Sequence, residues 1–494
     1  MFPDLAAALP AGFALPQLVA TPVNYVMRKL LLFVALLGLT SSVPAADFYA
    51  RFEAIKRATP AELYTFLYAL PKGGDLHNHL GGAIRPEWWY AVATDPARNG
   101  GDVFYTRVKF GAGIDPGTPL VLFRTIRRAT YDRLSAAEQA DYTRLDQLAP
   151  AQRQAWLDSL RLDRPGEGRD EFFTWIWPRT GQLHQSLPVT GETLVETMKA
   201  YGAEGLRYLE TQIGVAYFTD NAGNPISPDA AADFLRARLA QPDAVATGVT
   251  VRFLITVLRF SPIAEQQLAD AYKFVDGHRD LWVGLNMAGI EENGKGYPAR
   301  FLAKYRELRR IYPTLPLSIH AGEMDGPDQH IRDTLLLGAS RIGHGVNLLQ
   351  DPDTLLLMRN NKYLVEINLI SNRLLEYTPD LSKHPFPEYL RIGVPVCLNT
   401  DDRGMWDSNL TDEYYTAVTT FNLSWDELVQ LGRNSLAYSF VQPEVKAKLL
   451  ADYEREVAAF SARYLPAESL GQLAAVKPVT YGYARRNWGF PFAQ

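Results

Sequence analysis

Short apolar, β-favouring runs recur along this chain between longer amphipathic ones, and that rhythm limits what it can fold into. The runs lie at 205–213, 251–260, 282–289, 315–320, 340–346, 363–370 and 395–400, and a strand at 75–79 makes eight. Helical spacing fills the gaps at 230–239, 263–275, 299–311 and 351–360. Strand–helix alternation of this length calls for a parallel sheet, and eight units call for a closed (β/α)8 barrel. An open doubly wound sheet is the alternative. No G-x-G-x-x-G or Walker loop follows the first strand, which weakens a nucleotide-cofactor reading.

The fifth run carries the clearest chemistry. Leu315-Pro316-Leu317-Ser318-Ile319 ends in His320-Ala321-Gly322-Glu323. In a parallel α/β protein, reacting groups collect at the C-terminal ends of strands. A histidine followed three residues later by a glutamate can offer one site both a metal ligand and a proton carrier. Three other strand ends add to it. The first has His77 and His79, which face one side of an extended chain because alternate residues do. The sixth has His344 between Gly343 and Gly345, and the eighth has Asp401-Asp402. In a barrel all of these converge on one mouth. Three histidines and a carboxylate suit Zn²⁺ or a similar divalent ion with room for a water, which then becomes a nucleophile near neutral pH. Glu323 and His344 are left as proton shuttle and orienting group. The structural alternatives are that His344 caps a strand and that Asp401-Asp402 caps a helix. His184, His278, His330 and His384 lack this setting and read as surface or structural.

Composition closes off other classes. The 494 residues carry a formal net charge of −5, with no basic excess to meet nucleic acid. The lone cysteine, Cys397, excludes intrachain disulfides and thiolate-rich zinc sites, so a metal must rest on histidine and carboxylate.

Residues 27–46 read as a basic start, a leucine-rich core and a small-residue cleavage site. This predicts a secretory signal with Met27 as the true start, residues 1–46 as extension and leader, and 47–494 as one barrel domain in the periplasm or outside the cell. Residues 47–70 read as helical. The stretch of about 84–204 is too long for one connection and reads as a helical insertion, a lid or a subunit contact. Its aromatics, including Trp88-Trp89-Tyr90 and Phe172-Phe173-Thr174-Trp175-Ile176-Trp177, either wall an apolar pocket or pack the insertion's own core. From Asp412 the tail reads as helical, ending in an aromatic stretch at 481–492.

Pro71-Lys72, Leu76-His77-x-His79-Leu80-x-Gly82-Ala83, His320-Ala321-Gly322-Glu323, Arg341-Ile342-Gly343-His344-Gly345 and Asn399-Thr400-Asp401-Asp402 together resemble the adenosine/AMP deaminase family of metal-dependent hydrolases, over about residues 60 to 460. The Pro-Lys-Gly-Gly opening and the signal resemble its secreted, growth-factor-like branch. The resemblance implies a TIM-like barrel with one Zn²⁺ held by His77, His79, His320 and Asp401. It implies that Glu323 protonates purine N1, that water activated by the zinc attacks C6, and that His344 orients it. It also implies that Asp402 meets N7, that the Gly289 N–H meets N3, and that adenosine or a close relative becomes inosine and ammonia. The expected partner is a small purine nucleoside, with no nucleic acid, no membrane after signal cleavage, and a homodimer left open. Three features depart from the pattern. Gly81 stands where an aspartate usually reaches the ribose, Arg403 where a proline often follows the aspartates, and 366–372 keeps only part of a Glu-x-x-Pro-x-Ser run. Another amidohydrolase acting on a different purine, amide or ester, and a non-enzymatic nucleoside binder, are the rivals. A pure binder has no use for Glu323 as a proton carrier.

Overall fold

The protein is described by a computed structural model covering residues 45–111, 121–291, 296–324, 326, 328–464 and 470–490. The expected extension and signal core lie outside the described residues. Contacts divide the chain into two units, Met1–Phe48 and Tyr49–Gln494, and the second carries the barrel. Among the described residues no helix is long and apolar enough to cross a membrane.

Eight parallel strands form the centre: β1 Gly73–Asp75, β2 Leu206–Gln212, β3 Thr250–Leu258, β4 Trp282–Ala288, β5 Leu317–Ala321, β6 Arg341–His344, β7 Leu364–Ile367 and β8 Val396–Leu398. They lie side by side in chain order. The ring closes just past β8, where Asp401 bridges Asn78. There the His79 N–H donates to the Asp401 carbonyl at 3.2 Å and the Asp401 N–H to the His77 carbonyl at 3.0 Å. This is the TIM-like (β/α)8 architecture that the rhythm predicts. Strands such as β4 and β5 are buried at every position, as expected of strands covered by helices on one side and by the barrel core on the other.

Three boundaries differ from expectation. The first strand ends at Asp75, so His77 and His79 lie beyond it, on chain kept extended by the bridges of Asn78 to Asp401 and His79 to Gln212. The seventh ends at Ile367. A helix, Leu369–Leu374, follows, and its first N–H groups, those of Leu369 and Ile370, donate to the buried Glu413 side chain at 3.0 and 3.1 Å. The helical stretch at 47–70 splits at Thr59-Pro60, where Thr59 and Glu62 form a capping box.

The insertion between β1 and β2 holds the helices Pro86–Ala93, Pro150–Asp158 and Leu187–Ala203. It also holds a three-stranded antiparallel sheet, Phe104–Arg107, Thr125–Arg127 and Tyr142–Arg144, which the helical pattern did not announce. The aromatic run Phe172–Ile176 winds as a π-helical turn, a form common at functional sites. Its Phe172 packs on Trp406 with centroids 4.7 Å apart, in a cluster with Ile370, Leu375 and Met405. Behind the barrel follow the helices Leu410–Phe421, Trp425–Ala437 and Pro443–Tyr464. The first of these is capped by Asn409, so Asp401 and Asp402 have no capping role.

Candidate active site

All four chemistry-bearing strand ends meet at one mouth. The Nε2 atoms of His79 and His320 are 3.2 Å apart. Asp401 Oδ1 lies 3.5 Å from His77 Nε2 and 3.3 Å from His79 Nε2. A tetrahedron with metal–ligand bonds of about 2.0–2.1 Å has edges of about 3.3–3.4 Å, so this spacing fits a zinc-sized ion. His77 Nε2 and Asp401 Oδ1 are buried and have no hydrogen-bond partner, as donors aimed at an ion would be. His77, His320, His344 and Asp401 all bring a ligand atom within 4.8 Å of one another.

Two of the imidazoles are oriented from behind. His77 Nδ1–H donates to Glu366 Oε2 at 2.7 Å, and His320 Nδ1–H donates to Asn286 Oδ1 at 3.0 Å, which turns both Nε2 lone pairs inward. Glu366 is itself fixed by Ser318 at 2.8 Å and Arg341 at 2.6 Å. Burial works against its charge, but Arg341 and His77 hold it below the usual carboxyl range. Burial pushes His77 down, yet the carboxylates of Asp401 and Glu366 outweigh it and raise the group to about 10. The pocket therefore favours added positive charge at His77, a demand that a divalent cation satisfies as well as a proton.

His344 is tied to a different chain of groups. The Phe386 N–H can only donate, and it does so to His384 Nδ1 at 3.1 Å. His384 Nε2–H therefore donates to Asn372 Oδ1 at 3.1 Å, and the Asn372 amide N–H to His344 Nδ1 at 3.1 Å. The Asn368 amide adds a contact at 3.3 Å. The network assigns the His344 proton to Nε2, 3.6 Å from Glu323 Oε1. Burial pushes the His344 imidazole down to about 3, with His77 adding to the effect, so it stays neutral.

Two carboxyls at the mouth are pushed the other way. Burial, reinforced by Asp401 and Glu291, raises Glu323 well above the ordinary range. Burial and the neighbouring Asp401 raise Asp402 in the same manner, whereas for Asp401 the facing imidazoles of His77 and His79 outweigh burial and hold it well below. Two adjacent aspartates are thus pushed in opposite directions, as like charges in one site are. The backbone is forced as well: His344 and Asp401 take φ of 64° and 52°, left-handed values that ordinary residues avoid.

A cavity of about 380 Å³ opens on this cluster, lined by Phe172, Phe173, Trp177, Phe260, Gly289 and Leu375 beside His79, His320, Glu323, His344, Asp401 and Asp402. The insertion's aromatics therefore do both jobs expected of them, walling a pocket and packing a core. Gly289 sits at φ 116°, and a side chain there would meet Phe260 at 2.8 Å. Every site residue picked out in the sequence faces this one cavity except His77, which adjoins it from the barrel floor through Asp401. Sequence reasoning missed Glu366, Asn286, Asn372 and His384, which act through other side chains. It also missed Glu291, which accepts the Gly322 and Glu323 N–H groups at 3.0 and 3.1 Å and so fixes the turn carrying Glu323. His384-Pro385 was visible, but nothing local tells a relay histidine from a packed one. His330, read as surface or structural, is buried and pairs with Glu291 at 3.4 Å.

A parallel barrel carries at its mouth a buried His/Asp cluster with the donor set for a divalent ion, beside a carboxyl raised by burial. The sequence profile of the family "Adenosine deaminase" matches residues 190–455, and the chain belongs to that family. It is 38% identical over 169 residues to an adenosine deaminase of Enterococcus faecalis, covering 34% of this chain and 48% of that one, so the match spans about half of the relative's length. It is 30% identical over 275 residues to an adenine deaminase of Chelativorans, covering 52% of this chain and 80% of the relative. Among solved structures, an amidohydrolase of Burkholderia ambifaria with bound Zn superposes with a TM-score of 0.54 at 19% identity, over 84% of this chain and 95% of the other.

Proposed function

We propose that the chain is a zinc-dependent hydrolytic deaminase that converts adenosine, or a close adenine nucleoside, and water into inosine and ammonia. The observation that carries this reading is the Glu323 carboxyl, pushed well above the ordinary range by burial and lying 3.6 Å from Nε2 of His344, on the cavity that also holds His79, His320 and Asp401. His77, His79, His320 and Asp401 would hold one zinc ion. When bound, it would supply the Lewis acidity that makes water nucleophilic near neutral pH.

The chain's own groups supply the rest. Glu323 donates its proton to purine N1, which draws electrons from C6 and opens it to attack. Nε2–H of neutral His344 donates to the incoming oxygen and supports the charge that builds on it. Asp402, whose carboxyl burial and Asp401 push well above the ordinary range, donates to N7 in its acid form. The Gly289 N–H meets N3, and the aromatic walls hold the flat base and keep bulk water out. The 30% identity to an adenine deaminase makes free adenine the second reading.

The test is zinc-loaded protein against a panel of purines, read by ammonia release. Adenosine turnover that disappears with chelation and returns with zinc supports the reading. Stoichiometric zinc with no ammonia from any adenine compound rejects it. Export rests on residues 27–46 alone, and a mature N-terminus at Ala46 or Asp47 by direct sequencing supports it.

A further inference from the structure

A second cavity, of about 530 Å³, adjoins the first at His79, Trp177, Thr256 and Leu258. The insertion contributes His184 to its wall. Gly81 makes this possible: a Cβ there would lie 2.4 Å from His184 Cε1 and 2.9 Å from Nδ1, so the imidazole fills the space that a side chain at position 81 would take. The rings of Trp89 and Trp177 hold it, with centroids 5.1 and 5.8 Å away.

The protonation state of His184 follows from its neighbour. The Thr180 hydroxyl spends its single proton on the Trp177 carbonyl at 2.6 Å. Toward His184 Nε2, 2.7 Å away, it can only accept, so Nε2 carries the proton and Nδ1 keeps a free lone pair. Across the same cavity Gln212, 4% exposed, has an Nε2 with no partner, while its Oε1 accepts from Thr256 at 3.0 Å. An acceptor and a donor thus stand in a cavity beside the metal cluster, whose lining also carries Gln185, Gln267 and Asp270. Among the described residues no lysine or arginine lines either cavity and Asp270 lines the larger one, so the cavities themselves offer a phosphate no counter-charge; Arg124 lines a separate pocket that meets the larger cavity at Trp177, Gly181, His184 and Gln185.

We propose that His184 and Gln212 form a subsite for an uncharged, hydroxylated substituent on the purine, with His184 Nδ1 accepting a hydroxyl proton, so that the site selects nucleosides over free bases and over nucleotides. The subsite rests on the purine reading of the neighbouring cluster. The experiment measures binding to the zinc-loaded protein by calorimetry, with inosine, hypoxanthine and inosine 5′-monophosphate as probes. Inosine binds more tightly than either of the others. His184→Phe, which keeps the ring and removes the lone pair, cuts the inosine-to-hypoxanthine affinity ratio by about tenfold, and His184→Asn, which returns an acceptor near the position of Nδ1, restores most of it. Gln212→Leu lowers the same ratio and serves if His184→Phe does not fold. An equal ratio in wild type and His184→Phe, or monophosphate binding as tight as inosine, overturns the subsite. The two readings fail separately. Nucleoside binding of this pattern with no ammonia from adenosine rejects the deaminase and leaves the subsite standing. Deamination of adenine with no preference for inosine over hypoxanthine rejects the subsite alone.

Discussion

At the scale of the residue, the roles proposed for Glu323 and His344 depend on surroundings that fix where each proton sits. Glu323→Gln keeps the shape and loses the proton, so turnover falls by about 10²–10⁴-fold while zinc content by metal analysis stays at wild-type level. The sign of the pH dependence follows from the raised group. Its acid form persists above the ordinary carboxyl range and is lost as pH climbs through the raised value, so kcat has a falling alkaline limb. That limb is absent from the residual activity of Glu323→Gln. The His344 tautomer depends on Asn372 as a donor. Asn372→Asp puts an acceptor against Nδ1 and draws the proton there, so kcat drops by at least about tenfold, and ¹⁵N shifts of His344 report protonation moved from Nε2 to Nδ1. Unmoved shifts would show that the Phe386–His384–Asn372 relay does not set the tautomer. None of this relay was legible in the sequence, because its members lie on separate segments and touch no substrate.

At the scale of the element, small residues let strand ends approach one another. Gly343 on β6 faces His77, and a Cβ there would come within 2.6 Å of its Cε1 and 3.0 Å of its Nδ1. Gly343→Ala therefore pushes His77 off the Glu366 hydrogen bond and weakens zinc binding by about 10–100-fold, measured by competition with a chelator. Zinc affinity equal to wild type would mean that the strand yields instead. Lys72 shows the same logic on the structural side. Its buried ammonium is held by the carbonyls of Leu67 at 2.6 Å and Glu204 at 2.5 Å, tying the entry to β1 to the entry to β2. The Pro-Lys motif marked this place in the sequence, but what the lysine touches was not visible there.

At the scale of the whole molecule, the insertion and the tail clasp the barrel through buried ion pairs. Arg403, the residue that breaks the expected pattern after the aspartates, reaches Glu204 at 2.6 Å and covers the Tyr201 ring at 4.3 Å. Glu204 also accepts the Thr411 N–H at 2.9 Å, so one carboxylate joins the end of the insertion, the exit of β8 and the first C-terminal helix. Arg403→Met leaves that charge buried and unpaired and costs about 3–5 kcal/mol, read as a lowered urea midpoint. A midpoint within experimental error of wild type would remove Arg403 as a structural tie. The tail adds a second clasp. Asp407 pairs with Arg85 at 3.1 Å and Arg486 at 3.0 Å, and the Tyr481 ring lies 3.7 Å from the Arg85 guanidinium. This gives the aromatic tail the structural role that the sequence left blank.

Local chemistry determined the strand rhythm, the barrel class and the His, Glu and Asp residues gathered at its mouth, because strand periodicity and residue type are written over a few neighbouring positions. Tertiary contact alone decided which proton each group keeps, since burial and partners far along the chain set the states of Glu323, Asp402 and His344. It also decided that a glycine at 81 admits a histidine from 184. Side chains that act through other side chains leave no spacing behind, and the folded chain is where they first become neighbours.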